Sequence, residues 1–151
     1  MNNLYQVLDE LRSFLLLSDF TNTVTFGEIS DVDLSKLTNF PLVHLVIREA
    51  LIDENTIDFT LDVIAADIVD QSKELPEDSF LGNSNLQDIL ATQMKVITDV
   101  TNFFRRNDYV VNNYITLVDT VRAEPFLERF ENQLAGWSAS LSLRTRMQDK
   151  C

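Results

Sequence analysis

His44 and Cys151 carry the only imidazole and the only thiol in the chain. A Ser-His-Asp or Cys-His pairing, or a metal site of nitrogen and sulfur ligands, would have to be built from these two. His44 lies in the apolar run "PLVHLVI", opposite in parity to Val43 and Leu45, so a satisfied or partly exposed strand histidine is expected. Cys151 stands at the last position, so no internal disulfide is expected, which fits a reducing compartment. A fraying terminus would hold a nucleophile poorly.

The carboxylates offer more groups but no better geometry. They cluster as Asp31/Asp33, Asp58/Asp62 and Asp67/Asp70. On one strand face Asp58 and Asp62 would stand about 13 Å apart. That is too far for a retaining glycosidase pair and loose for an inverting one. "DVD" at 31–33 is not continued by the spacing of a calcium loop. "LGNSN" at 81–85 has one glycine and no following Lys-Ser/Thr, so it is not a phosphate loop. No GxSxG or HExxH motif occurs. The chain is expected to be no enzyme and to use no cofactor and no metal.

The charge balance narrows the partners. Twelve Lys and Arg against 24 Asp and Glu give a net charge of −12. Such a surface repels phosphate, so binding to DNA or to an anionic membrane is disfavoured as a main role. The aromatic-basic stretch "NFFRRNDY" is better explained by Arg105 and Arg106 at a helix C-terminus than by nucleic acid. Arg144, Arg146 and Lys150 make the last strand basic, which would suit head-to-tail contact between identical subunits. No apolar run reaches membrane-spanning length, and "MNNLYQVLDELRSFLLL" does not read as a signal peptide.

These residues must be positioned by a fold, and the chain length fits one domain, 1–151. Leu4, Leu8, Leu11 and Leu15 predict a helix over 3–17. "TVTFGEI" is a short strand broken by Gly27, and "SDVDLSKLTNF" a loop. "FPLVHLVIREA" predicts a buried strand, "DENT" a turn, and "IDFTLDVIAADIVD" the second arm of an antiparallel hairpin. In that arm Ile57, Phe59, Leu61 and Val63 face one way, and Asp58, Thr60 and Asp62 the other. A long loop, "QSKELPEDSFLGNSN", precedes a second helix with the stripe Leu86, Ile89, Leu90, Met94, Ile97, Val100 and Phe104, capped by Ser84 or Asn85. "YITLVDTVRAEPF" predicts a strand ended by Pro125. "FLERFENQLAG" predicts a connection, and "WSASLSLRTRM" a last strand with Trp137, Ala139, Leu141 and Leu143 inward. The order predicts an α+β fold: a mostly antiparallel β-sheet with two main α-helices packed on one face.

Two segments carry a resemblance. In "NFPLVHLVIREALIDENTIDFTLDVIAADIVDQ" an aromatic-Pro-apolar strand leads through a turn into an "FxLxVxxxD" strand. In "EPFLERFENQLAGWSASLSLR" a Pro-Phe turn and a charged bend lead through "AGW" into an alternating strand, with a cysteine some way after. From Phe40 onward the chain resembles the tail terminator and tail-completion (neck) proteins of tailed phages. The short distance from the final strand to the last residue is a departure from their pattern.

The resemblance implies an α+β sheet with flanking helices, assembled in a homo-oligomeric ring, usually of six copies. It implies a virion protein of the tail or neck, made in the host cytoplasm. Such a ring would stop growth of the tail tube, join it to the head connector, and pass genomic DNA without specific binding. On this reading Gly136 permits a bend or bulge before the last strand. Trp137 then anchors that strand in the core or at a subunit junction. The expected subunit interface is Glu128, Arg129, Trp137, Arg144 and Arg146. The expected acidic lining of the lumen is Glu74, Glu77 and Asp78. The alternative, which charge and missing chemistry fit equally well, is a small acidic cytosolic protein–protein adaptor without catalytic activity.

Overall fold

The computed structural model describes residues 2–27, 40–69, 85–106, 115–129 and 134–146. They form α1 (Asn2–Leu16), β1 (Thr23–Phe26), β2 (Leu42–Ile52), β3 (Thr56–Ile68), α2 (Leu86–Arg106), β4 (Ile115–Arg129) and β5 (Leu134–Arg146). The five strands make one sheet in the order β1-β2-β3-β5-β4. Only the β1–β2 pairing is parallel; the other three are antiparallel. The expected α+β class, a mostly antiparallel sheet with two helices, is the observed one.

Period-two alternation decides the faces. Val43, Leu45, Leu61, Val63, Ala65, Ala139, Leu141 and Leu143 lie on one face. They pack there with Val7, Leu11 and Leu15 of α1 and with Val96, Ile97, Val100, Phe103 and Phe104 of α2. Both helices therefore cover the same face. β3 and β5 form the spine, with thirteen consecutive pairs from Thr56↔Arg146 to Ile68↔Leu134 and no register shift.

The other face changes character along its length. At one end Leu42, Ile64, Ala66, Phe126 and Leu134 form a second buried apolar cluster with Phe40 beside it. This explains the apolar run at the start of β2, interrupted only by His44, since both faces are buried there. Toward the other end the same face carries Asp58, Thr60, Asp62, Ser140, Ser142 and Arg144.

Three expectations are corrected. Pro125 does not end β4, which continues to Arg129. β4 has one strand neighbour, β5, and a proline is tolerated on such an edge. The "connection" from Phe126 to Gly136 is accordingly strand for most of its length: 126–129 belong to β4 and 134–136 to β5. A one-residue shift between Phe126 and Arg129 lets the pairing continue past the proline. In α2 the buried stripe includes Gln93, Val96 and Phe103, while Leu90 and Met94 are only half-buried. The helix is rotated toward Phe103, whose ring meets Phe14 of α1 at 5.3 Å and Phe104 edge-on at 5.2 Å.

The expected loops at 28–39 and 70–84 lie outside the described residues, as does Ser84. Asn85 is described: its carbonyl accepts the N–H of Ile89, and its Nδ2 donates to Ile68 O at 3.4 Å. The start of α2 is thereby tied to the end of β3. At the other end Arg105 donates through Nη2 to Asp119 O at 2.9 Å. Asp119 has φ 65° and lies where β4 holds two extra residues between Val118 and Arg122. Arg105 thus fastens α2 to a bulge in an edge strand.

Candidate interaction surfaces

His44 is fully buried on the face away from the helices. Its Nε2 is 3.1 Å from Gly27 O and its Nδ1 is 2.6 Å from Thr25 Oγ1. A carbonyl only accepts, so Nε2 carries the proton and Nδ1 accepts from the threonine hydroxyl. Both contacts reach β1 or the residue after it, so the imidazole fastens the parallel edge strand to β2. Of the two expected forms, satisfied or partly exposed, the histidine takes the satisfied one.

The carboxylates are paired across strands. Asp58 and Arg144 face each other in register, and the guanidinium donates through Nε at 2.9 Å and Nη2 at 3.1 Å to the two carboxylate oxygens. Asp62 is almost fully buried; it accepts from Ser140 Oγ at 2.7 Å and pairs with Arg48. Arg48 sits at the register shift between Ile47 and Glu49, and that bulge re-aims it over β3. Arg122 and Glu124 pair within β4 at 2.9 Å. The polar end of the sheet is a lattice of matched charges. Among the described residues no three or more His, Cys, Asp or Glu side chains are grouped to hold a metal ion.

The hydrogen bonds from Arg144 hold the Asp58 carboxyl below its ordinary value of 3.8, against an upward push from desolvation and with a smaller Coulombic help from the same arginine. A depressed carboxyl contributes stability that is present above its unfolded value and lost as pH falls through the folded one. Asp67 has the opposite sign. Burial raises it, with the Ile68 N–H opposing, so its ionisation weakens the fold as pH rises above its ordinary value. Asp58→Asn is therefore expected to flatten the fall in stability below about pH 4 and leave the slope from pH ~5 to ~7 unchanged. Urea midpoints across that range measure this. An unchanged acid limb would show that the pair does not control it.

The residues expected at a subunit interface are not gathered in one place. Arg144 is engaged within the chain by Asp58. Reversing it to glutamate would set two acids face to face and perturb the sheet, so that change does not probe an interface. Trp137 lies on the helix-covered face, half-buried, and its Nε1 donates to Leu90 O of α2 at 2.8 Å. Glu128 and Arg129 occupy the end of edge strand β4, and Arg146 pairs with Thr56 at the other end of the sheet. The side chains of these three lie outside the described residues, as do Glu74, Glu77 and Asp78 entirely. Gly136 makes no bend before β5: it is inside the strand, paired with Ala66.

Other surfaces are more open. The β2–β3 hairpin ends in a tight turn, with Asp53 N–H bonded to Thr56 O at 2.9 Å and Glu54 N–H to Asp53 Oδ1 at 2.8 Å. Just before the turn, Leu51 is 61% and Ile52 72% exposed. On another part of the molecule a cleft of about 380 Å³ opens between α1 and β1. Among the described residues it is lined by Leu8, Val24, Leu45 and Phe26 together with Thr25 and the exposed Asp9 and Arg12. Phe26 is 60% exposed. A second groove of about 350 Å³ lies between the end of α1 and α2, beside the Lys95–Asp99 ion pair.

Sequence reasoning missed the tip and the cleft. "ALIDENT" did carry a signal, two large apolar residues directly against an acidic turn. The cleft had none, because it exists only once α1 packs beside β1. Among the described residues no helix is long and apolar enough to cross a membrane. No family model matches the chain, and no curated protein matches it in sequence.

Proposed function

We propose that the chain is a structural subunit of a tailed-phage virion. It forms a homo-oligomeric ring at the neck or tail end that terminates the tail tube and joins it to the head connector. One observation carries the ring reading. Large apolar side chains stand exposed at several separate places, among them Leu51 and Ile52 at the hairpin tip, Phe26 beside the α1–β1 cleft, and Leu16 and Leu17 at the end of α1. Exposed apolar patches rimmed by polar residues mark contact surfaces. Two unlike surfaces on one subunit are what a head-to-tail ring requires, whereas a two-fold dimer needs one self-complementary patch.

The phage setting rests on the resemblance of residues 39–71 and 124–144. Of these, the two segments within the described residues form adjoining strands β2, β3 and β5 and the end of β4. The acidic surface suits a channel that passes DNA without holding it.

Mass in solution, measured by light scattering across concentrations with negative-stain images of the same sample, tests this. Closed rings of one copy number are expected. A strict monomer at high concentration would give the adaptor reading its place and make a pull-down of partners the next step.

A further inference from the structure

We propose that the β2–β3 hairpin tip of one copy seats in the α1–β1 cleft of the next, with Ile52 entering the cleft and Glu54 meeting Arg12. The proposal rests on the ring reading and names the two surfaces that would build it.

The tip and the cleft match in chemistry. The tip offers Ile52, exposed on the same face of the hairpin as Ile57, with Leu51 exposed on the opposite face, followed by two exposed acids, Asp53 and Glu54. The cleft offers an apolar lining of Leu8, Val24, Leu45 and Phe26 with a base, Arg12, at its rim. Its volume of about 380 Å³ is large enough for the Ile52 side chain, given that ~150 Å³ admits a benzene-sized guest.

Arg12 is exposed and meets Asp9 only at 4.0 Å, the outer limit of an ion pair. Asp9 shares the rim, so Arg12 must turn from it to an incoming acid, which its flexible stem allows. Glu54 has no ion-pair partner among the described residues. A rim pair of this kind adds little affinity in water. The apolar seat supplies the affinity, and the charge pair fixes which end enters.

The contact cannot close within one copy. Ile52 lies seven residues beyond Leu45 along the continuous strand β2, a separation of about 23 Å. The tip of a copy therefore cannot reach its own cleft. A contact between unlike surfaces repeats with one rotation, so it generates a ring or a filament. It also places one of the few basic residues against acid, which matters between subunits that each carry −12.

Two variants separate the surfaces. Leu51→Ser with Ile52→Ser disables the tip, and Phe26→Ser with Arg12→Glu disables the cleft. All four side chains are exposed, and far-UV circular dichroism with thermal midpoints checks that each variant is folded. Sedimentation across concentrations should show association weakened by about a hundredfold in either variant. A 1:1 mixture of the two should form a species of two copies and nothing larger, because one good tip and one good cleft remain. Glu54→Arg should weaken association, and adding Arg12→Glu to it should restore part of the loss.

Rings that persist in the folded tip variant would overturn this contact and leave the ring reading standing. A mixture that stays monomeric would overturn the contact likewise. A wild-type chain that is monomeric at every concentration would overturn both.

Discussion

Gly136→Ala is expected to lower stability by about 3 kcal/mol, at the upper end of what overpacking usually costs. A Cβ at this position would lie 1.9 Å from Ala65 O, 2.9 Å from Ala65 C and 3.0 Å from Ala66 Cα. All three are main-chain atoms, so no side-chain rotation relieves the clash. Ala65 and Ala66 belong to β3, which is held on its far side by Val43 and Leu42 of β2. Moving β3 away would open pairings on both sides. The φ of +157° adds strain, because L side chains rarely adopt it. For a domain of this size the change corresponds to a fall of roughly 6–12 °C in Tm. Ser138→Ala, two residues along the same strand and on the same face, should stay within about 0.5 kcal/mol. A Gly136→Ala protein melting within ~2 °C of the parent would show that the close approach of the two backbones is not rigid.

Trp137→Ala should have a loss of similar size, about 3 kcal/mol, the low end for a large aromatic because the indole is only half-buried. The side chain packs against the helix-facing core, and its N–H reaches the Leu90 carbonyl of α2. It therefore joins β5 to α2 by packing and by one hydrogen bond. Trp137→Phe separates the two contributions, since it keeps most of the ring and loses the donor, and should cost about 1 kcal/mol. The Leu90 carbonyl lies inside α2 and keeps its helical partner, so it is not left orphaned. Trp137 is the only tryptophan, so parent emission reports this junction directly, and circular dichroism follows the alanine variant. The experiment also decides between two roles. An anchor within the chain lowers the Tm of the monomer. A subunit-junction residue would instead leave monomer stability intact and change the mass of the assembly.

Much of the fold was legible because it is written in local periodicity. The alternation of Ile57, Phe59, Leu61 and Val63 against Asp58, Thr60 and Asp62 assigned the faces of β3 without knowledge of its neighbours. The same held for Trp137, Ala139, Leu141 and Leu143 in β5. The parity of His44 against Val43 and Leu45 placed it away from the helices, where its ring is found. The stripe of α2 was less legible, because Gln93 interrupts it with a polar residue that is nevertheless fully buried.

The candidate site was less legible still. Arg144 read as a free charge on a basic last strand, but its partner, Asp58, is 86 residues away in sequence. Arg48 and Asp62 meet only because β2 carries a bulge.

By itself the sequence determined the α+β class, the hairpin of β2 and β3, the two long helices, and which side of each strand is apolar. These depend on residues within a turn or two of one another, where spacing alone decides which side chains share a face. Tertiary structure alone decided that β5 lies between β3 and β4, that Pro125 sits within an edge strand, and that Gly136 faces a neighbouring backbone with no room for a methyl group. It also decided that the exposed tip and the α1–β1 cleft lie too far apart along β2 to meet within one molecule. Each of these follows from strand order and register, which arise from pairings between distant segments and leave no mark in the spacing of near neighbours.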